Sequence, residues 1–211
     1  MNPAMSPAQQ PAVVYSGRCD DMQQGAHEAA LMVRGAERPV HLIVNGAPPE
    51  TVRASRRLLS QVAGRAVEVR GYTPDKRAQR EQILKADLVL VPSREENVGL
   101  TALDAMVAEV PVLLPDTCGI GRFLRESGRI DLSLTEHSVI RREEGEAAAP
   151  LERWITELVD VLDNPGTARQ RAAELRVALV AALRTLQSAG QSAADLVKAI
   201  LAVRAEGSRD D

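Results

Sequence analysis

The segment Leu88-Val89-Leu90-Val91 is the strongest single constraint on what this chain can fold into. Four apolar residues in a row, without alternation, give a strand no solvent face, so both of its sides must be covered. A strand of that kind belongs in the middle of a parallel sheet with helices on both faces. The flanking sequence fits this requirement. Ala12–Tyr15 reads as a first strand, followed by a helix around Met22–Arg34. Val40–Val44 reads as a second strand closed by the turn signal Asn45-Gly46, and Pro49 as the first residue of a helix reaching about Ala63. Val67–Val69 is a third strand and Asp75–Ala86 a third helix, and after Leu88–Val91 come a short helix over Leu100–Ala108 and the strand Val112–Leu114. Strand and helix alternating in this way imply right-handed crossovers and a Rossmann-like, doubly wound parallel sheet of the α/β class.

The last third of the chain changes character. Past a small strand at Ser138–Ile140 and the charged loop Arg141–Glu146, the apolar residues Leu151, Trp154, Ile155, Leu158, Val159 and Leu162 recur at helical spacing. Asn164-Pro165-Gly166 breaks that helix, a longer one spans about Thr167–Leu186, and a final one spans Ser192–Val203. The expected organisation is a tail over 1–11, a Rossmann-like body over 12–150, C-terminal helices over 151–205 packed on the same body, and a tail over 206–211.

Charge and cysteine usage narrow the function classes. A formal net charge of -3 gives no basic stripe for nucleic acid, and 2% aromatic residues give no platform for stacking bases. Cys19 and Cys118 have neither metal-ligand nor disulfide spacing, and His27, His41 and His137 show no metal spacing, so no metal is expected. No stretch approaches a membrane span and no leader peptide is evident, so a cytoplasmic location is expected.

Ligands of open parallel sheets sit outside the carboxyl ends of the strands, and three such ends carry suggestive residues. At Ser16-Gly17-Arg18 a glycine permits close backbone approach and an arginine can clamp a phosphate; a tight turn with a solvated arginine explains the same residues. In the segment from Ser93 to Thr101, Gly99 precedes a helix whose free N–H groups suit an anion. Glu96 and Asp104 lie eight residues apart there, and a carboxylate can accept both hydroxyls of a sugar ring; a solvated Glu96 and a Thr101-x-x-Asp104 capping pair are the plain alternatives. The third end, Asp116 to Arg122, holds two glycines before a helix, which a simple helix start also explains.

Taken together these segments resemble one family. The stretch from Ala86-Asp87 through Pro92-Ser93, Glu96, Gly99-Leu100 and Leu103-Asp104-Ala105-Met106 is similar to the signature of retaining GT-B glycosyltransferases of the group 1 type, approximately A-D-x-x-x-x-P-S-x-x-E-G-F-G-L-x-x-L-E-A-M-A. The resemblance extends over about residues 12–203, through Gly17-Arg18, Arg70–Pro74, Asp116–Ile120 and Leu162–Pro165. It implies half of a GT-B fold, the C-terminal half that binds a nucleotide-diphosphate sugar, with no further cofactor required. By position, Glu96 would contact the donor sugar and Asp104 the ribose. Amides near Val98, Gly99 and Leu100 would cradle the diphosphate, with Thr101 also among the binding residues, Arg18 would neutralise it, and the Gly71-Tyr72-Thr73 loop would lie by the base. Arg18 and Glu96 are thus the expected catalytic pair.

Departures from the family pattern shape the expected function. Gln24 stands where the family usually has a lysine facing the diphosphate, and Asp104 is one methylene shorter than the usual glutamate. Losing a cation there weakens stabilisation of the departing group. Only eleven residues precede Ala12, so the acceptor half is expected to come from elsewhere. The expectation is a donor-binding module that does not catalyse alone, with the donor half of a split or dimeric transferase, or a vestigial fold used for docking or nucleotide sensing, as alternatives. A protein partner or a homodimer is expected on the face the other half would cover, marked by an exposed apolar patch.

Overall fold

The computed structural model describes residues 10–17, 25–92, 99–143 and 149–188. Its centre is a six-stranded sheet of β1 (Ala12–Ser16), β2 (His41–Ala47), β3 (Glu68–Gly71), β4 (Leu88–Leu90), β5 (Val112–Pro115) and β6 (Val139–Ile140). The order is β3-β2-β1-β4-β5-β6 with every neighbouring pair parallel. This is the doubly wound order, whose direction of winding reverses between β1 and β4.

Alternate residues of the strands feed two separate cores, which is why the central strands are apolar throughout. Val13, Tyr15, Leu42, Val44, Leu88, Leu90 and Leu113 face one layer, built from α1 (Ala26–Gly35), α2 (Val52–Ala63) and α6 (Leu151–Asp163). Val14, Ile43, Val89, Val112 and Leu114 face the other, built from α3 (Lys76–Leu84), α4 (Leu100–Val107), α5 (Gly119–Glu126) and α7 (Pro165–Ser188). Of the predicted stripe of α6, Trp154 and Leu158 are buried in the first core, together with Val161 from outside the stripe, while Leu151, Ile155, Val159 and Leu162 pack against it partly buried. Leu175, Leu179 and Leu186 carry α7 into the second, and Arg169 Nη2 donates to the Ala86 carbonyl at 2.7 Å just ahead of β4. Both C-terminal helices therefore close the sheet. Among the described residues no helix is long and apolar enough to cross a membrane.

Three local expectations are corrected. Asn45-Gly46 does not end β2; the strand continues to Ala47 because Asn45 pairs with Ser16, its carbonyl accepts from Gly17 N at 3.0 Å, and the Ala47 carbonyl accepts from Tyr72 N at 2.8 Å. Partners on both sides outweigh the local turn preference, and Gly46, at φ 110, absorbs the register shift against β3. Pro49 does not open a helix, since the Pro48 carbonyl takes both the N–H and the hydroxyl of Thr51 and delays α2 to Val52. The first helix cannot run through from Met22, because Gly25 at φ 77 is left-handed and the helix starts at Ala26. Met22 to Gln24 and the expected Ser192–Val203 helix lie outside the described residues.

Candidate functional site

The carboxyl ends of β1, β2 and β3 open into a cavity of about 270 Å³. Ser16 and Gly17 leave β1, Asn45 and Gly46 close β2, and Gly71-Tyr72-Thr73 follows β3. Gln79, Gln82 and Ile83 of α3 form one wall, and Thr101 and Asp104 of α4 face it. The strand-end rule for doubly wound sheets points to this end of the molecule. A larger hollow of about 900 Å³, lined by Pro39–His41, Gly64 and Ala66–Glu68, lies at the opposite, amino end of the strands. There His41 Nε2 and Arg70 Nε contact the two oxygens of Glu68 at 3.0 and 2.7 Å. Burial pushes the Glu68 carboxyl up, but Arg70 and His41 outweigh it and hold the group below its ordinary range. His41 is thus accounted for by its contact with Glu68 across β2 and β3.

Of the residues expected at the site, the fold brings Gly17, Tyr72, Thr101 and Asp104 to this one cavity from three separate elements. Gly99 caps α4 with φ 82 and Leu100 is the first helical residue, adjacent to the cavity in the chain but not lining it. Arg18, Gln24, Glu96 and Val98 lie outside the described residues, so the fold says nothing of their placement. The Thr101-Asp104 capping pair does not form: Gly99 is the cap, and among the described residues no side-chain cap bond is made there. Asp104 is left exposed at the cavity, free of that structural duty.

The polar groups are arranged differently around this cavity. Asn45 is only 9% exposed, and its Nδ2 donates to Ser16 Oγ at 3.2 Å across the β1–β2 pair. Gln79 Nε2 donates to the Thr73 carbonyl at 2.6 Å, pinning the loop that carries Tyr72. Tyr72 itself is 64% exposed and Leu100 is 61% exposed. Asn45, Gln79, Gln82 and Ile83 were not anticipated as site residues. Gln79, Gln82 and Ile83 stand at i, i+3 and i+4 on the helix that follows the Tyr72 loop and so share a face, but nothing in that spacing marks the face as a cavity wall.

The third strand end behaves as a helix start. Cys118 caps α5, its Sγ accepting from Gly121 N at 3.4 Å and donating to the Pro115 carbonyl at 3.3 Å, which fits a buried packing residue. Asp116 and Thr117 line a second cavity of about 230 Å³ with His27, Glu28 and Trp154. His137, Glu157 and Asp160 bring one ligating atom each within 4.8 Å of the others. Arg171 Nη1 already occupies Asp160 Oδ2 at 2.6 Å, and Asn164 Nδ2 donates to its other oxygen at 3.0 Å. That makes the group an ion-pair network joining α6 to α7.

With this geometry in place, comparison with known proteins decides the family. The family model described as family 4 glycosyltransferase in conflict systems matches residues 1–192. The chain belongs to that family. It is 29% identical over 150 residues to the D-inositol 3-phosphate glycosyltransferase of Rhodococcus jostii (strain RHA1), covering 69% of this chain and 30% of that protein. Among solved structures, the sucrose-phosphate synthase of Thermosynechococcus elongatus superposes with a TM-score of 0.62 at 22% identity, over 88% of this chain and 46% of that one. The C-terminal domain of a group 1 family glycosyl transferase from Francisella tularensis gives a TM-score of 0.59 at 15% identity, over 82% of this chain and 88% of that domain. The sheet is therefore half of a GT-B fold, and the chain spans less than half the length of the D-inositol 3-phosphate glycosyltransferase and of the sucrose-phosphate synthase chain.

Proposed function

We propose that this family 4 glycosyltransferase chain binds the nucleoside diphosphate of a sugar donor in the cavity at the ends of β1, β2 and β3, and needs a second lobe to transfer the sugar. The observation that carries this reading is the convergence of Tyr72, Thr101 and Asp104 on one cavity from the loop after β3 and the first two turns of α4. An exposed carboxylate there suits a ribose, which offers two adjacent hydroxyls as donors. Glu96 at the sugar, and Arg18 and the amides of Val98 and Gly99 at the diphosphate, are the remaining roles that the family pattern assigns.

Support for a second lobe comes from the cavity mouth. Tyr72, which lines the cavity, and Leu100, one residue before the lining Thr101, are large apolar side chains, 64% and 61% exposed. A partner closing over them would bury apolar surface and exclude water from the reacting groups. That lobe is a separate polypeptide, another copy, or a further part of a longer chain. Acceptor positioning would come from it, and the chain on its own would bind a donor without transferring the sugar.

Calorimetric titration with UDP, GDP, ADP and their common sugars tests the reading. The expected result is micromolar binding of one nucleotide, roughly -8 kcal/mol, lost on Asp104→Ala. Absence of binding to every nucleotide would overturn it and leave the fold as a docking module.

A further inference from the structure

Three carboxamides line the cavity, and they are not equivalent. Gln79 is fully engaged: its nitrogen donates to the Thr73 carbonyl at 2.6 Å and its oxygen accepts from Lys76 Nζ at 3.1 Å. Asn45 is half engaged. Its nitrogen donates to Ser16 Oγ, while its oxygen is buried with no partner. Exchanging the two ends of the amide would leave the nitrogen unpaired instead, so one half of this 9%-exposed side chain has no partner in either orientation. Gln82, half-buried on α3 one turn beyond Gln79, makes no side-chain hydrogen bond among the described residues. Buried amides are normally satisfied, and one that is not calls for a partner.

The rest of the lining says what kind of partner. Tyr72 and Ile83 supply apolar surface, and Asp104 is the sole charged residue among the described lining residues. None of the described lining residues is cationic, so what this stretch of wall presents is apolar surface and amides. A neutral, flat heterocycle with donors and acceptors on its edge matches both the apolar surface and the two unspent amides.

We propose that Asn45 and Gln82 are the specificity-determining residues for the nucleobase, reading its edge by hydrogen bonds while Tyr72 and Ile83 flank the ring. This rests on the nucleotide-binding reading above and adds to it the residues that choose the base. Asn45 offers its unpaired end and Gln82 a donor and an acceptor side by side, as a base edge does, and a mismatched base leaves the buried end of Asn45 unpaired.

The test is calorimetric titration of the full chain and of its Asn45→Ala and Gln82→Ala variants with UDP, GDP, ADP and CDP. Thermal melting of each variant runs alongside. Loss of an edge contact is expected to weaken the preferred nucleotide about tenfold or more and to bring its affinity toward that of the other three. Asp104→Ala, by contrast, should weaken all four alike and keep their order. Equal weakening of all four by both amide variants would mean that they only support the wall, and would overturn the proposal while nucleotide binding stood. Unchanged selectivity would overturn it too. Failure of the wild type to bind any nucleotide would overturn both readings together. Should Asn45→Ala melt below the working temperature, Gln82→Ala on the α3 surface decides alone.

Discussion

Gly46 packs so closely against Gly17 that a Cβ on Gly46 would lie 2.3 Å from the Gly17 carbonyl oxygen. The obstacle is backbone, which cannot swing aside as a side-chain tip would, and Gly46 also sits at φ 110. Both features bear on the floor of the cavity, where β1 and β2 end. Gly46→Ala is expected to destabilise the chain by about 3 kcal/mol, combining strain with overpacking. Urea denaturation would measure this. A loss below about 0.5 kcal/mol, the level of an ordinary surface change, would show that the two strand ends can part freely.

Asp160 joins the last two helices, and this link is pH-dependent. The hydrogen bond from Arg171 is the main influence on its carboxyl; burial opposes it, and the charges of Arg171 and His137 assist, with the net effect of holding the group below the ordinary aspartate range. A folded-state value below the unfolded one means that the stabilisation is present above the ordinary aspartate value and is lost as pH falls through the folded value. His137 Nδ1 stands 3.0 Å from Glu157 and 4.0 Å from Asp160, so Glu157 is the other carboxylate at the same place. Asp160→Asn is expected to cost about 0.5–1 kcal/mol near pH 7, kept small by solvent at the pair, and close to nothing near pH 2. Urea melts at the two pH values separate the cases; an equal deficit at both would mean that charge is not what holds α6 to α7.

What the sequence made legible, and what it hid, follows from the range of the forces involved. The strands were readable because burial on both faces forces apolar runs such as Leu88–Val91, and the stripe of α6 was readable because a one-sided helix repeats its apolar residues. Asn45-Gly46 misled because an Asn-Gly pair is a turn signal only when nothing else competes for its backbone groups. Here β1 and β3 supply partners from 29 and 25 residues away, Ser16 for Asn45 and Arg70 for Asn45 on the other side. Gln79 and Gln82 were hidden for the opposite reason. The α3 sequence, KRAQREQIL, is polar around most of its circumference, and no local pattern tells an amide at a cavity from an amide in water. Tyr72 and Asp104 emerged from a motif resemblance, and their meeting at one cavity required the sheet order.

Trp154 is the single tryptophan of the chain; it is buried in the first core and lines the second cavity. Its emission should therefore be blue-shifted in the folded protein and move red on unfolding. Trp154→Ala removes a large side chain from a closed core, and about 3–5 kcal/mol of stability is expected to go with it. For a domain near this size that is a fall of roughly 6–20 °C in Tm, readable by circular dichroism. A Tm within a few degrees of wild type would mean that α6 docks mainly through Leu158 and Val161.

The wall that carries Tyr72 is held from below by α3. Asp75 caps that helix, its Oδ1 accepting from Arg77 N at 2.9 Å and Ala78 N at 3.3 Å, and Gln79 reaches back from the next turn to the Thr73 carbonyl. A helix of nine polar-rich residues has little propensity to spare, so its cap matters more than it would on a long buried helix. Asp75→Ala is expected to cost about 1 kcal/mol and to speed amide hydrogen exchange at Arg77 and Ala78, whose N–H groups lose their acceptor. Exchange at Val89 in the central strand should change only by the global stability loss. If exchange at Arg77 and Ala78 rose no more than at Val89, the cap would not be holding the start of α3, and the Tyr72 loop would owe its position to the bonds from Tyr72 N to the Ala47 carbonyl and from Gln79 to the Thr73 carbonyl.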